Sequence, residues 1–230
     1  MKEPSPQKQS FVLSSLMTMT DREFQLLRDL VYTRLGINLT EKKRSMLIGR
    51  LQKLLRTSGF KTFQDYYDYL VSEPNSTAMT ELVNRITTNY SFFYRGKSHF
   101  EFFSQSVFQE VLETLRKRNS RDIRIWTAGC STCEEPYMLI MLMMNYLGRE
   151  YWLWDGGILA TDISEKALRF AQEGIYPADR TKELPPHLKK QYFTTMPDGR
   201  LAVKDVVKRE VVFRKFNLKN DTFPFKMSSR

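Results

Sequence analysis

Apolar positions along this chain recur first at helical spacing and then in an alternation of strand-like and helical runs. Thr20 and Glu23 make a capping-box pair, after which Phe24, Leu27, Val31 and Leu35 repeat at helical intervals until Gly36 closes the run. A second helical stripe follows Thr40, with Leu47, Leu51, Leu54 and Leu55 on one face, and shorter ones cover residues 62–70 and 77–86, parted by a turn at 73–76. A helix over about residues 100–117 leads to a β-prone run at 123–126. That run breaks at Gly129 into small and polar residues, and a long apolar stretch with Tyr137, Leu139, Ile140, Leu142 and Met143 begins after Pro136. Residues 157–162 form a second buried, β-prone run, ending in Asp162, with a new helix opening at Ser164. Tyr192 and Phe193, the turn dipeptide Asp198-Gly199, and the runs 201–203 and 210–213 predict a small antiparallel hairpin unit.

The pattern predicts a mobile arm over residues 1–19, a helical domain over 20–86, a connecting segment over 87–99, and an α/β domain from 100 to 230. The last carries an inserted β-subdomain at about 176–213.

The strand, tight loop and helix around Cys130 to Pro136 organise the chain. In α/β proteins such a junction receives cofactors, because loop N–H groups and the helix N-terminus present positive partial charge at the carboxyl edge of the sheet. Glu134 and Glu135 sit beside it and repel phosphate, which points to a ligand with positive or hydroxylated groups; the competing reading is that both complement the helix dipole. Asp162 fits an acceptor for ribose hydroxyls at the end of a second strand, and equally fits a helix cap. Cys130 and Cys133 have the C-x-x-C spacing of redox and zinc motifs, but His99 and His187 lack paired metal spacing, so no metal is expected.

Residues 87–95, TTNYSFFYR, join helices with aromatics that a plain linker does not need. Asn89, Ser91 and Arg95 can reach a ligand while Phe92, Phe93 and Tyr94 fill a groove between domains, or the aromatics pin one domain to the next.

The formal charge of +10 favours an acidic partner without choosing among nucleic acid, anionic membrane and acidic protein. Part of it is concentrated: residues 41–61 hold seven basic residues and one acidic residue, and Lys42, Lys43, Arg50, Lys53 and Arg56 share one flank of the apolar stripe. This is a solvated helix face or a docking surface for an acidic helix or polyanion. No apolar run approaches the roughly 20 residues needed to span a bilayer, and the N-terminus lacks the regions of a signal peptide, so the chain is expected in the cytoplasm.

Taken in order and spacing, residues 87–95, 131–137, 160–163, 173–176, 191–193 and 216–218 resemble the chemotaxis receptor methyltransferases, the CheR family. The likeness runs over about residues 20–220. It implies S-adenosylmethionine-dependent methylation of protein glutamates, by an N-terminal helical domain joined to a Rossmann-like α/β domain with a small antiparallel insert. Position by position it implies cofactor contacts from Asn89, Ser91, Arg95, Glu135, Asp162, Asn217 and Leu218. Arg95 would take the cofactor carboxylate or position the reacting region, Glu135 the amino end and Asp162 the ribose. The basic helix, through Lys43, Arg50, Lys53 and Arg56, would meet the acidic cytoplasmic helices of a methyl-accepting receptor, with the enzyme a monomer that binds no nucleic acid and inserts in no membrane.

Two departures stand out. The family has glycine where this chain has Cys133, a change expected to tighten the loop or narrow the cofactor pocket. After Asn217 and Leu218 the family continues with further strands, so the sheet is expected to be incomplete and the chain weak or inactive unless something completes it. The short hairpin also puts the family's tethering of a receptor tail peptide in doubt. The run Leu184-Pro185-Pro186-His187 superficially matches the motif of amino-methylating nucleic-acid enzymes, yet lacks the preceding Asn or Asp and is read as a loop. The alternatives to receptor methylation are a non-catalytic receptor-binding remnant and a nucleic-acid methyltransferase.

Overall fold

The structure is a computed structural model and describes residues 17–72 and 77–223. The chain divides into two compact units, Met1–Asn75 and Ser76–Arg230. The mobile arm expected at the N-terminus lies almost wholly outside the described residues, as does the turn at 73–76.

The first unit holds helices α1 (Asp21–Leu35), α2 (Arg44–Thr57) and α3 (Phe63–Ser72). The capping box forms as the spacing predicts: the Glu23 N–H donates to Thr20 Oγ1 at 3.2 Å, and the Thr20 N–H donates to Glu23 Oε2 at 2.7 Å. Glu23 Oε1 also accepts the Gln64 N–H at 3.0 Å, so one buried carboxylate satisfies orphan donors at the starts of α1 and α3. Leu27, Leu47, Leu51, Leu55, Phe63 and Leu70 are all fully buried. Truncating one such leucine to alanine costs about 2–5 kcal/mol.

The second unit begins with α4 (Thr77–Ile86), where the pattern had placed that helix at the end of the helical domain. Its tie is polar: Asn84 Oδ1 accepts from Ser164 Oγ at 2.9 Å and from the Lys166 N–H at 3.3 Å. The helix expected over 100–117 starts earlier and is interrupted, as α5 (Lys97–Phe102), a π-helical turn over Phe103–Val107, and α6 (Phe108–Lys117). Then come β1 (Asp122–Ala128), α7 (Glu134–Leu147), β2 (Asp155–Asp162) and α8 (Glu165–Glu173). Helix α7 is apolar nearly all round, burying Tyr137, Met138, Ile140, Met141, Met143 and Met144, as a helix enclosed by its own unit must.

The inserted segment contains β3 (Ile175–Tyr176), α9 (Pro186–Tyr192), β4 (Phe193–Thr195), β5 (Leu201–Val203) and α10 (Asp205–Lys208), and β6 (Val211–Lys215) follows it. Strands β3, β5 and β4 form an antiparallel sheet in that spatial order, and Gly199, at φ +80°, makes the predicted turn between β4 and β5. Pro186 opens α9, so the Leu184 to His187 run starts a helix where a loop was expected.

One assignment is corrected. Residues 210–213, expected in the antiparallel hairpin unit, contribute to β6, which pairs in parallel with β2 in a β1-β2-β6 sheet, with Leu159 opposite Val212 and Ala160 opposite Phe213. A short apolar run has the same pattern in either setting, and its partner is chosen by the crossover that returns the chain beside β2.

Candidate functional site

Strand β1 ends in a loop held in uncommon backbone geometry. Gly129 has φ +77°, and two residues with side chains share the left-handed region: Ser131 at φ 51° and Cys133 at φ 72°. Such residues carry a conformational cost that surrounding contacts must offset. Here the contacts are backbone amides: Gly129 and Cys130 N–H both donate to Thr161 O at 2.8 Å, and Cys133 N–H donates to Cys130 O at 2.9 Å. The left-handed value at Cys133 explains why glycine suits this position. Its thiol is fully buried in the core and does not line the cavity described below.

Asp162, at the end of β2, holds this loop. Its Oδ2 accepts the Ser131 N–H at 2.7 Å and its Oδ1 accepts the Ser164 N–H at 2.8 Å. Ser164, not Asp162, is the side-chain cap of α8, accepting from the Ala167 N–H at 3.2 Å. A carboxylate offers about four acceptor positions, so two remain for further donors. Asn89 Nδ2 donates to Ser164 Oγ at 3.1 Å, which fastens residues 87–95 to the start of α8.

Between these elements lies a cavity of ≈ 480 Å³, within the range typical of small-molecule sites. One wall comes from residues 88–100, including Tyr90, Ser91, Phe92, Arg95 and His99; the other comes from Thr127 to Ser131 with Glu135 and Pro136. Ser91, Arg95 and Glu135 line it, while Asn89 and Asp162 are not on the lining and are tied to Ser164 and Ser131 behind it. Asn217 and Leu218 follow β6 and do not line the cavity; their neighbour Phe216 donates its N–H to Asp162 O at 3.0 Å. Glu134 and Glu135, read as a pair in the sequence, part company. Glu135 is exposed at the cavity, whereas the Glu134 side chain is fully buried against Arg180 at 2.7 Å. Phe93 is buried edge-on against Tyr176 and Phe193, 4.8 and 5.1 Å between ring centroids, which pins this wall to the antiparallel sheet.

The Ser131 hydroxyl is buried, faces no protein partner and belongs to a residue that lines the cavity. An unsatisfied polar atom at a cavity wall marks a place where a ligand's polar group fits. Burial, with Asp162 adding to it, pushes the Cys130 thiol up to about 12, and burial also pushes Cys133 well above its ordinary value. Both cysteines are free and buried.

Residues 22–87 match the model of the CheR methyltransferase all-alpha domain, and residues 89–228 match that of the CheR methyltransferase SAM-binding domain. The chain belongs to the CheR methyltransferase family. It is 38% identical over 209 residues to a chemotaxis protein methyltransferase of Borreliella burgdorferi, covering 91% of this chain and 74% of that relative. It is 31% identical to the chemotaxis protein methyltransferase of Escherichia coli, over 90% of this chain and 69% of the relative. Against chemotaxis protein methyltransferase 2 of Pseudomonas aeruginosa the identity is 32%, over 86% of this chain and 69% of the relative.

The cofactor of this CheR chain is S-adenosylmethionine, and the residues present fit it. The amino-acid end of that molecule carries an ammonium and a carboxylate, whose charges are complementary to those of Glu135 and Arg95, and its hydroxyls are complementary to the unpartnered Ser131 Oγ on the lining. The features that the pattern of the CheR sequence did not expose are Arg180, which holds Glu134, and Asn84, which holds Ser164. His99, which lacks metal spacing in the sequence, lies on the cavity wall four residues beyond Arg95. Among the described residues, no helix is long and apolar enough to cross a membrane.

Proposed function

We propose that this chain is a cytoplasmic enzyme that methylates glutamate side chains on the cytoplasmic domain of chemotaxis receptors. The observation that carries the reading is the placing of Glu135 and Arg95 on the lining of one cavity at the carboxyl end of β1, with Asp162 behind it. S-adenosylmethionine, when bound, supplies an activated methyl group on a sulfonium. Glu135 and Arg95 orient its amino-acid end, Ser131 and Asp162 hold hydroxyl groups, and Tyr90 and Phe92 provide apolar lining.

A glutamate side chain has a pKa of about 4.3 and is already an anion at neutral pH, so no general base is required. What the chain contributes is alignment of two reactants and exclusion of water. Cys130, a nucleophilic side chain on the lining, is held in its neutral form by burial, which disfavours its competing for the methyl group. Arg95 is assigned a positioning role.

The basic flank of α2 supports an acidic substrate. Lys43, Lys53 and Arg56 are exposed and Arg50 is half-buried. These residues form the proposed contact surface for receptor helices.

Calorimetric titration with S-adenosylhomocysteine tests the site. Saturable binding by the wild type, weakened about tenfold or more in Glu135→Ala as expected for loss of a charge-assisted hydrogen bond, supports it. Absence of binding by the folded chain overturns it. Transfer of a labelled methyl group to a receptor cytoplasmic fragment, released by mild alkali as an ester must be, tests the glutamate assignment. An alkali-stable label refutes that assignment.

A further inference from the structure

Arg180 lies in a 3-10 turn, Ala178–Thr181, of the inserted segment and is not part of the cavity lining. Its contacts nevertheless reach both walls. Nη1 donates to Thr132 Oγ1 at 2.9 Å and to Glu134 Oε1 at 2.7 Å, on the loop that carries Ser131 and Glu135. The backbone carbonyl of Arg180 accepts the Phe93 N–H at 2.9 Å, and the guanidinium lies 5.4 Å from the Tyr90 ring centroid, both on the opposite wall. Phe170 covers the guanidinium at 5.2 Å.

The network beneath is closed. Thr132 Oγ1 donates to the Glu134 carboxylate, at 2.7 Å to Oε2, and Tyr176 Oη donates to Thr132 O at 2.6 Å. The Arg180 side chain is 17% exposed and that of Glu134 is 0% exposed. Charge-assisted hydrogen bonds in so dry a setting are short, strong and directional, and one nitrogen, Nη1, serves both Thr132 and Glu134.

We propose that Arg180 is a positioning residue for methyl transfer: it joins the Tyr90–Phe93 wall to Thr132 and Glu134, the chain neighbours of Ser131 and Glu135 on the other wall, and so sets the width of the cofactor cavity. This rests on the assignment of the cavity to S-adenosylmethionine. The competing role is that Arg180 merely neutralises Glu134.

Two measurements on the full chain separate these roles. The first is S-adenosylhomocysteine titration of wild type, Arg180→Met and the double variant Arg180→Met/Glu134→Gln. The double variant leaves no buried charge without a partner, so its fold is kept, but its walls are no longer joined; its affinity is expected to stay about tenfold or more below wild type. Wild-type affinity in the double variant would show that Arg180 is only a counter-charge. The second is amide hydrogen exchange of the ligand-free proteins. Exchange is expected to quicken in both 90–93 and 131–134, and quickening in one wall alone overturns the joining role. If the wild type itself binds nothing, the cofactor reading fails, while exchange still decides whether Arg180 links the walls.

Discussion

The Asp162 carboxylate receives the Ser131 N–H at 2.7 Å and thereby shapes the loop after β1 before any ligand arrives. With its other oxygen on the Ser164 N–H, replacement by alanine strands two inward-facing donors. Each is expected to cost about 1–3 kcal/mol. Asp162→Ala is thus expected to lower the melting temperature of the second unit by several degrees as well as weaken S-adenosylhomocysteine binding. Asp162→Asn, which keeps one acceptor oxygen, is expected to melt between the two. Unchanged melting in Asp162→Ala would show that these bonds do not hold the loop.

Cys133 sits at φ 72° with its thiol in the core. Glycine there removes a left-handed strain of about 1–2 kcal/mol while giving up a small buried side chain, so Cys133→Gly is expected to change stability by less than about 1 kcal/mol. Cys133→Val puts a β-branched residue in that conformation and is expected to destabilise by about 2 kcal/mol or more. Urea denaturation of the pair measures the contrast; a valine variant as stable as the glycine variant would show that the backbone angle carries no strain.

How much of this was legible follows from the range of each contact. The capping box at Thr20 and Glu23, the Gly36 stop and the Asp198-Gly199 turn are local devices whose partners lie within a few residues, and all three form. Ser91, Arg95 and Glu135 were legible because they lie in motif strings, and they meet at one cavity. Arg180 was not legible, since nothing local tells an arginine in an insert that its partner stands 46 residues earlier. The misplacing of residues 210–213 has the same origin: strand pattern specifies faces, while tertiary pairing specifies neighbours.

Stability is expected to fall in alkali. Burial pushes Cys130 and Tyr192 up to about 12, and raises Tyr137, Tyr151, Tyr176 and Cys133 as well. In the unfolded chain the same groups titrate at about 8.5 for Cys and 10 for Tyr. Above about pH 8.5 the unfolded state therefore binds fewer protons than the folded state, which makes the slope of stability against pH negative through the alkaline range. Melting temperatures level from about pH 7 to 8 and declining from about pH 9 to 11 are expected; a flat profile through the upper range would contradict burial of these groups.

Charge reversal on α2 is expected to act on the substrate alone. Lys53→Glu/Arg56→Glu should raise KM for a receptor fragment about tenfold or more at low salt, with a smaller effect at high salt where screening already weakens the attraction. S-adenosylhomocysteine affinity should stay at the wild-type value. Equal loss of cofactor affinity would mean that the substitutions disturb the fold and do not report on receptor contact.

The crossing of Arg180 between two walls has a consequence in time. The ribosome completes both walls by Pro136, yet the residue that joins them follows Glu134 by 46 positions. At about 5–20 residues per second, that interval lasts about 2–9 s. Through it the nascent chain carries the two halves of a cofactor site with Glu134 still lacking its cation, so the loop after β1 takes its final form only once the inserted segment has been synthesised and folded back. Maturation of the site is therefore a late event in biogenesis, coupled to an insert none of whose residues lines the cavity.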